Sequence, residues 1–211
     1  MPDTETSDII VSKNGDVSYG TRRYTAVKQH ETLFYIYEGV DYLTKNHMLP
    51  FAMLHGGAVS IAGQAIGLLA PTHTGKSTLV AELLLHGAQF LCDDYLLVDD
   101  QLRAHPFPLP LRLRELSILS SPSSFSKLHE GVHPYSGEQE YIMDIQPYEG
   151  KVPVPLMAIF LLRRQSCTAP SLHCFSNVQA YKTLVLNGKS TREAAIRQVA
   201  LAAMRITSLL P

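Results

Sequence analysis

The sequence predicts an α/β fold, with a mixed sheet, flanking helices and a small β region near the N-terminus. Three segments support this. The apolar run "AIGLLAP" (65–71) leads into an amphipathic helical pattern, and "QFL" (89–91) ends at two aspartates. The segment "VPLMAIFLLRR" (154–164) is typical of a strand buried on both faces. Strand patterns that alternate with helical patterns indicate an α/β domain, and 211 residues suffice for one.

Residues 1–50 are predicted to form a β-rich region packed on a larger domain, 51–211. Short strands are expected from residue 8 to 37, with a type I′ hairpin turn at Asn14-Gly15. The segment "TLFYIYEG" (32–39) is included among these strands. A helix is predicted over Tyr37–Met48, ending before Pro50.

The larger domain begins with an apolar run that glycines divide into two strands and a tight turn, the second strand at about 65–69. A helix follows Lys76 and stops at Gly87. The prolines at 106, 108 and 110 favour an extended segment, and 117–140 is expected to be a mobile loop. Two helices are predicted at the C-terminal end, 176–188 and 190–210, the second capped by Ser190 or Thr191.

Composition limits the classes of function. The 18 Lys+Arg and 19 Asp+Glu give a net charge of −1, so no general field attracts nucleic acid or an acidic membrane. The three cysteines, Cys92, Cys167 and Cys174, have neither disulfide-framework nor zinc spacing, which fits a reducing cytoplasm. Neither a signal peptide nor an apolar run of roughly 18 residues is evident. We therefore expect a soluble, cytoplasmic protein.

A phosphate-binding loop is predicted at Ala70–Ser77. The last three positions of the pattern G-x-x-x-x-G-K-[ST] match, while Ala70 stands in place of the first glycine. Backbone N–H groups of 72–77 can surround an anion at a helix N-terminus, with Lys76 on the β and γ oxygens and Ser77 on Mg²⁺. The residues predicted to contact the nucleotide are Thr72, His73, Thr74, Gly75, Lys76, Ser77 and Thr78.

An acidic pair, Asp93-Asp94, follows the strand after this helix. In a right-handed crossover the two strands run parallel, and their carboxyl ends share an edge of the sheet. The pair is therefore expected beside the phosphates. One carboxylate there can hold Mg²⁺, and its neighbour can accept a proton from an attacking hydroxyl.

Other charged residues have two interpretations each. Arg112 and Arg114 alternate on an extended segment and so share a face, where they could neutralise phosphoryl charge or form solvated ion pairs. Arg163 and Arg164 end a buried strand, with the same alternatives. Isolated histidines are usually structural, so His55 is first taken as a structural residue. His73 is expected to face solvent rather than to act in catalysis.

The segments "LHGGAV", "APTHTGKSTLVAELLLHGAQFLCDDY" and "HPFPLPLRLR" resemble the catalytic domain of HPr kinase/phosphorylase and its wider HPr-kinase-like family. The resemblance covers about residues 50–115. It implies a P-loop core related to phosphoenolpyruvate carboxykinase, and transfer of phosphate from ATP, with Mg²⁺, to a serine of a protein or peptide. By position, Asp93 matches the general base, Asp94 its partner with a role at the metal, and His55 a histidine near the reacting phosphate.

The chain also departs from the family. Ala70 replaces a glycine, which requires that this position avoid positive φ. The family's metal-binding glutamate has no matching stretch, and Glu115, Glu138 and Glu140 are weak candidates. The separate N-terminal domain of the bifunctional enzymes has no counterpart in these residues. The kinase chemistry is therefore carried over, and the substrate is not.

Several functional hypotheses remain open. The acceptor of a serine kinase could be an HPr-like phosphocarrier or, as in shorter relatives that resemble tailoring kinases, a natural-product precursor peptide such as a lasso precursor. Alternatives are an ATP-binding regulator or scaffold without phosphotransfer, and a small-molecule kinase. A homo-oligomer is possible, since the family is commonly hexameric and the apolar end "ALAAMRITSLL" could dock on a neighbour or belong to the protein's own core.

Overall fold

A mixed sheet of seven strands with helices packed against it forms the centre of the computed structural model, which confirms the α/β class. The structure describes residues 8–26, 29–47, 51–107, 109–116, 119–121, 125, 128–132, 137–143, 145–146, 148–164, 171–188 and 199–202. The proposed N-caps at 190 and 191, and Cys167, lie outside these residues.

Near the N-terminus, β1 (Ile9–Val11), β2 (Val17–Tyr19) and β3 (Arg22–Tyr24) form an antiparallel sheet, as predicted. The turn between β1 and β2 is at Asn14-Gly15, but it is not type I′. Gly15 has φ 87°, whereas Asn14 is not left-handed, and type I′ needs positive φ at both residues. The amide of Ser12 donates to Asp16 O across a three-residue connection instead.

The next element, α1 (Gln29–His47), overturns the prediction of a strand at 32–39. A run of five apolar residues fits both the helical and the strand periodicity. The sequence pattern alone could therefore not distinguish a helix from a strand. Tertiary packing decides for the helix. It buries Phe34, and Gly39 lies so close to the small sheet that a Cβ there would be 2.8 Å from Tyr19 Cδ1 and 3.1 Å from Ile9 Cδ1. Residues 37–47 of the predicted helix form the C-terminal part of α1, and residue 48 lies outside the described residues.

The remaining elements are β4 (Ala52–Leu54), β5 (Gly56–Ile61), β6 (Gln64–Leu69), α2 (Lys76–Leu85), β7 (Gln89–Cys92), β8 (Leu96–Val98), β9 (Arg103–His105), β10 (Leu111–Leu113), β11 (Leu128–Val132), β12 (Gln139–Met143), β13 (Val154–Leu161) and α3 (Asn177–Leu186). The order in the central sheet is β4-β8-β9-β13-β6-β5-β7. β13 runs parallel to β6, and the other neighbours run antiparallel.

The apolar run before α2 forms three strands rather than the predicted two. The second predicted strand is β6, as expected, but Gly56 and Gly57 lie inside β5 instead of ending a strand. A Cβ on Gly57 would lie 2.8 Å from Val80 Cγ2 of α2 and 3.2 Å from Asp93 Oδ1. Glycine in this strand therefore marks a close approach of helix and sheet.

Both well-described helices of the larger domain follow their sequence signals. α2 ends as predicted before Gly87, whose φ of 90° needs glycine. α3 begins with a capping box, in which Ser176 and Gln179 bond each other's backbone N–H. Residues 199–202 are helical, within the second predicted C-terminal helix.

A second small sheet, of order β10-β12-β11, contradicts the expectation of a mobile loop over 117–140. Its strands β11 and β12 pair antiparallel from Leu128↔Met143 to Val132↔Gln139. The Ser, Pro and Gly content of this stretch suggested a loop, whereas β12 pairs with β11 along one edge and with β10 along the other. β10, in contrast, lies in the segment that the prolines predicted to be extended.

β13 was expected to be buried on both faces, and this is wrong. It is the middle strand of the sheet, yet Met157 is 57% exposed and the strand has few fully buried residues. Neighbouring strands cover the edges of a strand and not its faces, so central position does not ensure burial.

Two apolar clusters cover opposite sides of the central sheet, and both are built from residues of β5, β6 and β7. One cluster includes Ala58, Leu69 and Leu91, and the other, which packs against α2, includes Val59 and Val80. Within the described residues, no helix is long and apolar enough to cross a membrane.

The turn from β8 to β9 is held by one carboxylate. Asp99 accepts hydrogen bonds from the backbone N–H groups of Gln101 and Arg103, and from Arg103 Nε at 2.8 Å. His105 Nε2 lies 3.0 Å from the same carboxylate. Burial alone would raise the pKa of Asp99, but these hydrogen bonds outweigh it and lower the pKa below its ordinary value.

We expect Gly57→Ala to destabilise the protein by about 1–3 kcal/mol, because the added methyl group must displace Val80 or Asp93. Urea denaturation measures the effect. The control is Ser60→Ala on the same strand, which removes a buried hydroxyl that lacks a hydrogen-bond partner among the described residues and should be neutral or stabilising. Equal stability of Gly57→Ala and wild type would contradict the close approach.

Asp99→Asn should lose about 1 kcal/mol of stability at neutral pH. A carboxylate with a lowered folded-state pKa stabilises the fold above its unfolded pKa, and this contribution is lost as pH falls through the folded value. The difference between wild type and variant should therefore shrink below about pH 3.8, the ordinary aspartate value. A difference that is constant from pH 7 to acid, measured by urea titration, would refute this role.

Candidate functional site

Strand directions bring the predicted site residues to one edge of the central sheet. β5 lies between β6 and β7 and runs antiparallel to both, so β6 and β7 are parallel to each other, as predicted. The carboxyl ends of β6 and β7 therefore meet the start of β5. His55, the loop after Leu69 and the pair Asp93-Asp94 lie at this edge as a result.

The 70–77 loop connects β6 to α2. Ala70 is fully buried and is not among the described residues with positive φ, so alanine is compatible with the backbone at this position. The left-handed positions are His73, with φ 65°, and Gly75, with φ 102°. Gly75 is the N-cap of α2 and has no side chain to cap it, so the N–H groups of the first turn are available to a ligand.

Lys76 and Asp93 form a buried ion pair, with side chains only 7% and 4% exposed. Lys76 Nζ also lies 3.1 Å from Asp94 Oδ1, and Ser77 Oγ donates to Asp93 Oδ2 at 2.7 Å. Burial alone would lower the pKa of Lys76, but the two carboxylates outweigh it and raise the pKa. The ammonium is therefore fully charged at neutral pH and already neutralised by its neighbours.

Asp94 is the more accessible carboxylate, with 26% of its side chain exposed. Its φ of 67° is left-handed, a conformation that aspartate tolerates better than most residues and that is common at functional sites. Tyr37 OH donates to Oδ2 at 3.0 Å, and Arg112 Nη2 lies 4.0 Å from the same oxygen. His55 Nδ1 lies 3.9 Å from Oδ1 and 3.4 Å from the backbone oxygen.

Arg112 belongs to β10 and Arg114 directly follows it, and both contact residues of the predicted site. Arg112 lies over the ring of Tyr37, 3.8 Å from its centroid, and 3.7 Å from Glu140 Oε2. Arg114 contacts His73 Nε2 of the loop at 3.1 Å and pairs with Glu138 Oε2 at 3.1 Å. These contacts connect β10 and β12 to the 70–77 loop and to Asp94.

The structure brings together most of the predicted residues. The exposed position of His73 agrees with its expected orientation to solvent, and Thr72 is also exposed. Glu140 approaches the site through Arg112. Glu115 is exposed, and Arg163 and Arg164 lie exposed after β13, with Arg163 over the ring of Phe175.

Sequence reasoning missed Tyr37. The residue lies where the predicted strand at 32–39 and the predicted helix at 37–48 overlap, and neither pattern placed its hydroxyl near Asp94. A correct prediction of α1 would have shown which face of the helix carries Tyr37. The contact with Asp94 would still not follow, because it depends on packing between residues 57 positions apart.

The donors present are oxygen ligands of the kind that Mg²⁺ takes. Ser77 and the two aspartates supply a hydroxyl and carboxylates, which Mg²⁺ commonly combines with substrate phosphates and water. Among the described residues, no group of three or more His, Cys, Asp and Glu is placed to hold a metal ion. Cys92, just before the pair, is buried, and burial raises the pKa of its thiol, so it is a packing residue.

Neither a scan of the sequence against protein-family models nor a search of the curated proteins finds a match. The resemblance to HPr-kinase-like proteins stays a prediction.

A double-mutant cycle should detect the buried pair. Lys76→Met leaves Asp93 buried beside an apolar side chain and should cost about 3–5 kcal/mol, while the double variant Lys76→Met/Asp93→Asn should recover part of this loss. We expect a coupling of roughly 1–3 kcal/mol from urea denaturation. Because the folded-state pKa of Lys76 is raised, its stabilising contribution is complete below about pH 10.5 and is lost as pH rises through the folded value. If the destabilising effects of Lys76→Met and Asp93→Asn simply add in the double variant, the pairing of the two side chains is contradicted.

Proposed function

We propose that the protein is an ATP- and Mg²⁺-dependent P-loop kinase that transfers the γ-phosphoryl group to a serine hydroxyl of a protein or peptide. One observation carries the proposal: Lys76 and Ser77, at a helix start without a side-chain cap, meet a pair of aspartates at the same edge of the sheet. A lysine for the phosphates, a hydroxyl for the cation and a carboxylate for the acceptor are the groups that phosphoryl transfer requires.

The triphosphate is assigned to the 70–77 loop. Backbone N–H groups of 72–77 and the positive end of the α2 dipole favour an anion there. Lys76 would exchange its carboxylate partners for β and γ oxygens. Arg112 and Arg114 supply further positive charge on the side of the site formed by β10.

Mg²⁺ would be held by Ser77 and Asp93 together with phosphate oxygens, where it would neutralise charge on the phosphates. The hydrogen bond between Ser77 and Asp93 favours this pair over the expected Ser77 and Asp94, because it already places the hydroxyl beside the carboxylate.

The general base is assigned to Asp94, although the family resemblance implies Asp93. Asp93 is almost fully buried, and its bond from Ser77 places it at the position proposed for the metal. Asp94 is partly exposed, so an acceptor can reach it. Asp94 takes the proton of the seryl hydroxyl, whose oxygen bonds to the γ-phosphorus as the bond to the β–γ bridging oxygen breaks and ADP leaves.

The acceptor surface is assigned to the side of the site lined by β10 and β12. His73, Arg114 and Glu138 are exposed there and offer charges of both signs, which suit a polypeptide better than a small metabolite. An HPr-like phosphocarrier and a ribosomal precursor peptide, such as a lasso precursor, are the two acceptors that the family resemblance favours.

A second function is an ATP-binding regulator that transfers nothing. The observation in its favour is that the metal-binding glutamate of the family that the chain resembles has no matching stretch in this sequence. It differs from the kinase in a single measurable respect, the formation of phosphorylated product.

The test is incubation of the protein with γ-labelled ATP, Mg²⁺ and three kinds of acceptor: an HPr-type phosphocarrier, serine-containing precursor peptides, and small hydroxy acids. We expect label on a protein or peptide serine. Asp94→Asn should lower the rate by about 10²–10⁴-fold while keeping ATP affinity. Lys76→Met should abolish ATP binding and turnover.

The control is Arg164→Ala, an exposed arginine after β13, which should transfer at the wild-type rate. ATP binding without labelled product would favour the regulator, and label on small hydroxy acids alone would favour a small-molecule kinase. A Lys76→Met variant that transfers at the wild-type rate would refute the assignment of the loop.

A further inference from the structure

We propose that Tyr37 of α1 is a positioning residue for phosphotransfer, which holds the carboxylate of Asp94 and the guanidinium of Arg112 in their working orientation. The inference rests on the proposed function, and it adds a residue from the N-terminal region to a site otherwise formed by residues 55–140.

Tyr37 makes two different contacts in the site. Its hydroxyl donates to Asp94 Oδ2 at 3.0 Å, and its ring lies 3.8 Å from Arg112 Cζ. Burial, and then the charge of Asp94, raise the pKa of Tyr37 well above its ordinary value. The phenol therefore keeps its proton at neutral pH and acts as a donor.

The two oxygens of Asp94 have different surroundings. Oδ1 faces Lys76 of α2 at 3.1 Å and His55 at 3.9 Å, whereas Oδ2 faces Tyr37 and Arg112. Lys76 is the contact that a bound nucleotide would remove. The bond from Tyr37 does not involve Lys76 or the 70–77 loop, so it is a contact that can fix the carboxylate when ATP is present.

Arg112 is held on three sides. Its guanidinium stacks on the Tyr37 ring, pairs with Glu140 of β12 and approaches Asp94. A planar guanidinium on an aromatic face has a defined orientation, which a flexible ammonium would lack. Loss of the ring should therefore release Arg112 as well as Asp94.

Substitution at Tyr37 separates the two contacts. Tyr37→Phe removes the hydroxyl and keeps the ring, and we expect kcat to fall by roughly tenfold to a hundredfold with KM for ATP unchanged. Tyr37→Leu removes both contacts and should lower kcat further. Tyr35→Phe is the matched control: it lies on the same helix, stacks on Tyr24 with ring centroids 4.7 Å apart, and should keep the wild-type kcat.

Combination with Asp94→Asn shows whether Tyr37 acts through Asp94. In that background Tyr37→Phe should have no further effect on the residual rate. Thermal melting of each variant confirms that the protein is folded at the assay temperature. A Tyr37→Phe variant with wild-type kcat, or one whose loss is equalled by Tyr35→Phe or accompanied by an equal rise in KM for ATP, would overturn the inference alone. Absence of phosphotransfer in wild type, with every acceptor, would overturn the proposed function and this inference with it.

Discussion

The buried contact between the ammonium of Lys76 and the carboxylate of Asp93 is the interaction on which the arrangement of this site depends. It connects the first residue of α2 to the residue that follows β7, with both side chains almost fully excluded from water. Two charges can remain buried only if each neutralises the other, so the helix start and the strand end must stay together. Ser77 adds a hydrogen bond to the same carboxylate, which fixes the first turn of the helix against the sheet.

The backbone adapts to this pairing at a few positions. Gly57 lacks a side chain where α2 and Asp93 approach β5, and Gly75 takes a left-handed φ just before Lys76. Asp94 is also left-handed, and its carboxylate shares Lys76 with Asp93 while also accepting from Tyr37. The two adjacent aspartates have different environments, since the Asp93 side chain is 4% exposed and that of Asp94 is 26% exposed.

Local sequence patterns were sufficient for much of the site. The apolar strand, the glycine before Lys76 and the acidic pair after β7 are each encoded by neighbouring residues, so β6, α2 and β7 could be predicted. Contacts between distant residues could not. The assignment of 32–39 to a helix, and the pairing of β10 with β12, depend on packing and on partners that no local period reveals. The sequence also could not predict that the carboxylate of Asp93 is buried and that of Asp94 is accessible, since it does not show which of two neighbouring residues will be buried.

The position of α1 has a consequence for how the chain can be divided. The sequence predicts residues 1–50 as a β-rich region packed on the larger domain, and the helix of this region supplies a phenol to a carboxylate 57 residues further along the chain. The site that the structure describes therefore extends beyond the segment that carries the predicted phosphate-binding loop. A fragment beginning at residue 51 would retain that loop and lack Tyr37, so the motif alone does not mark where the folded site ends.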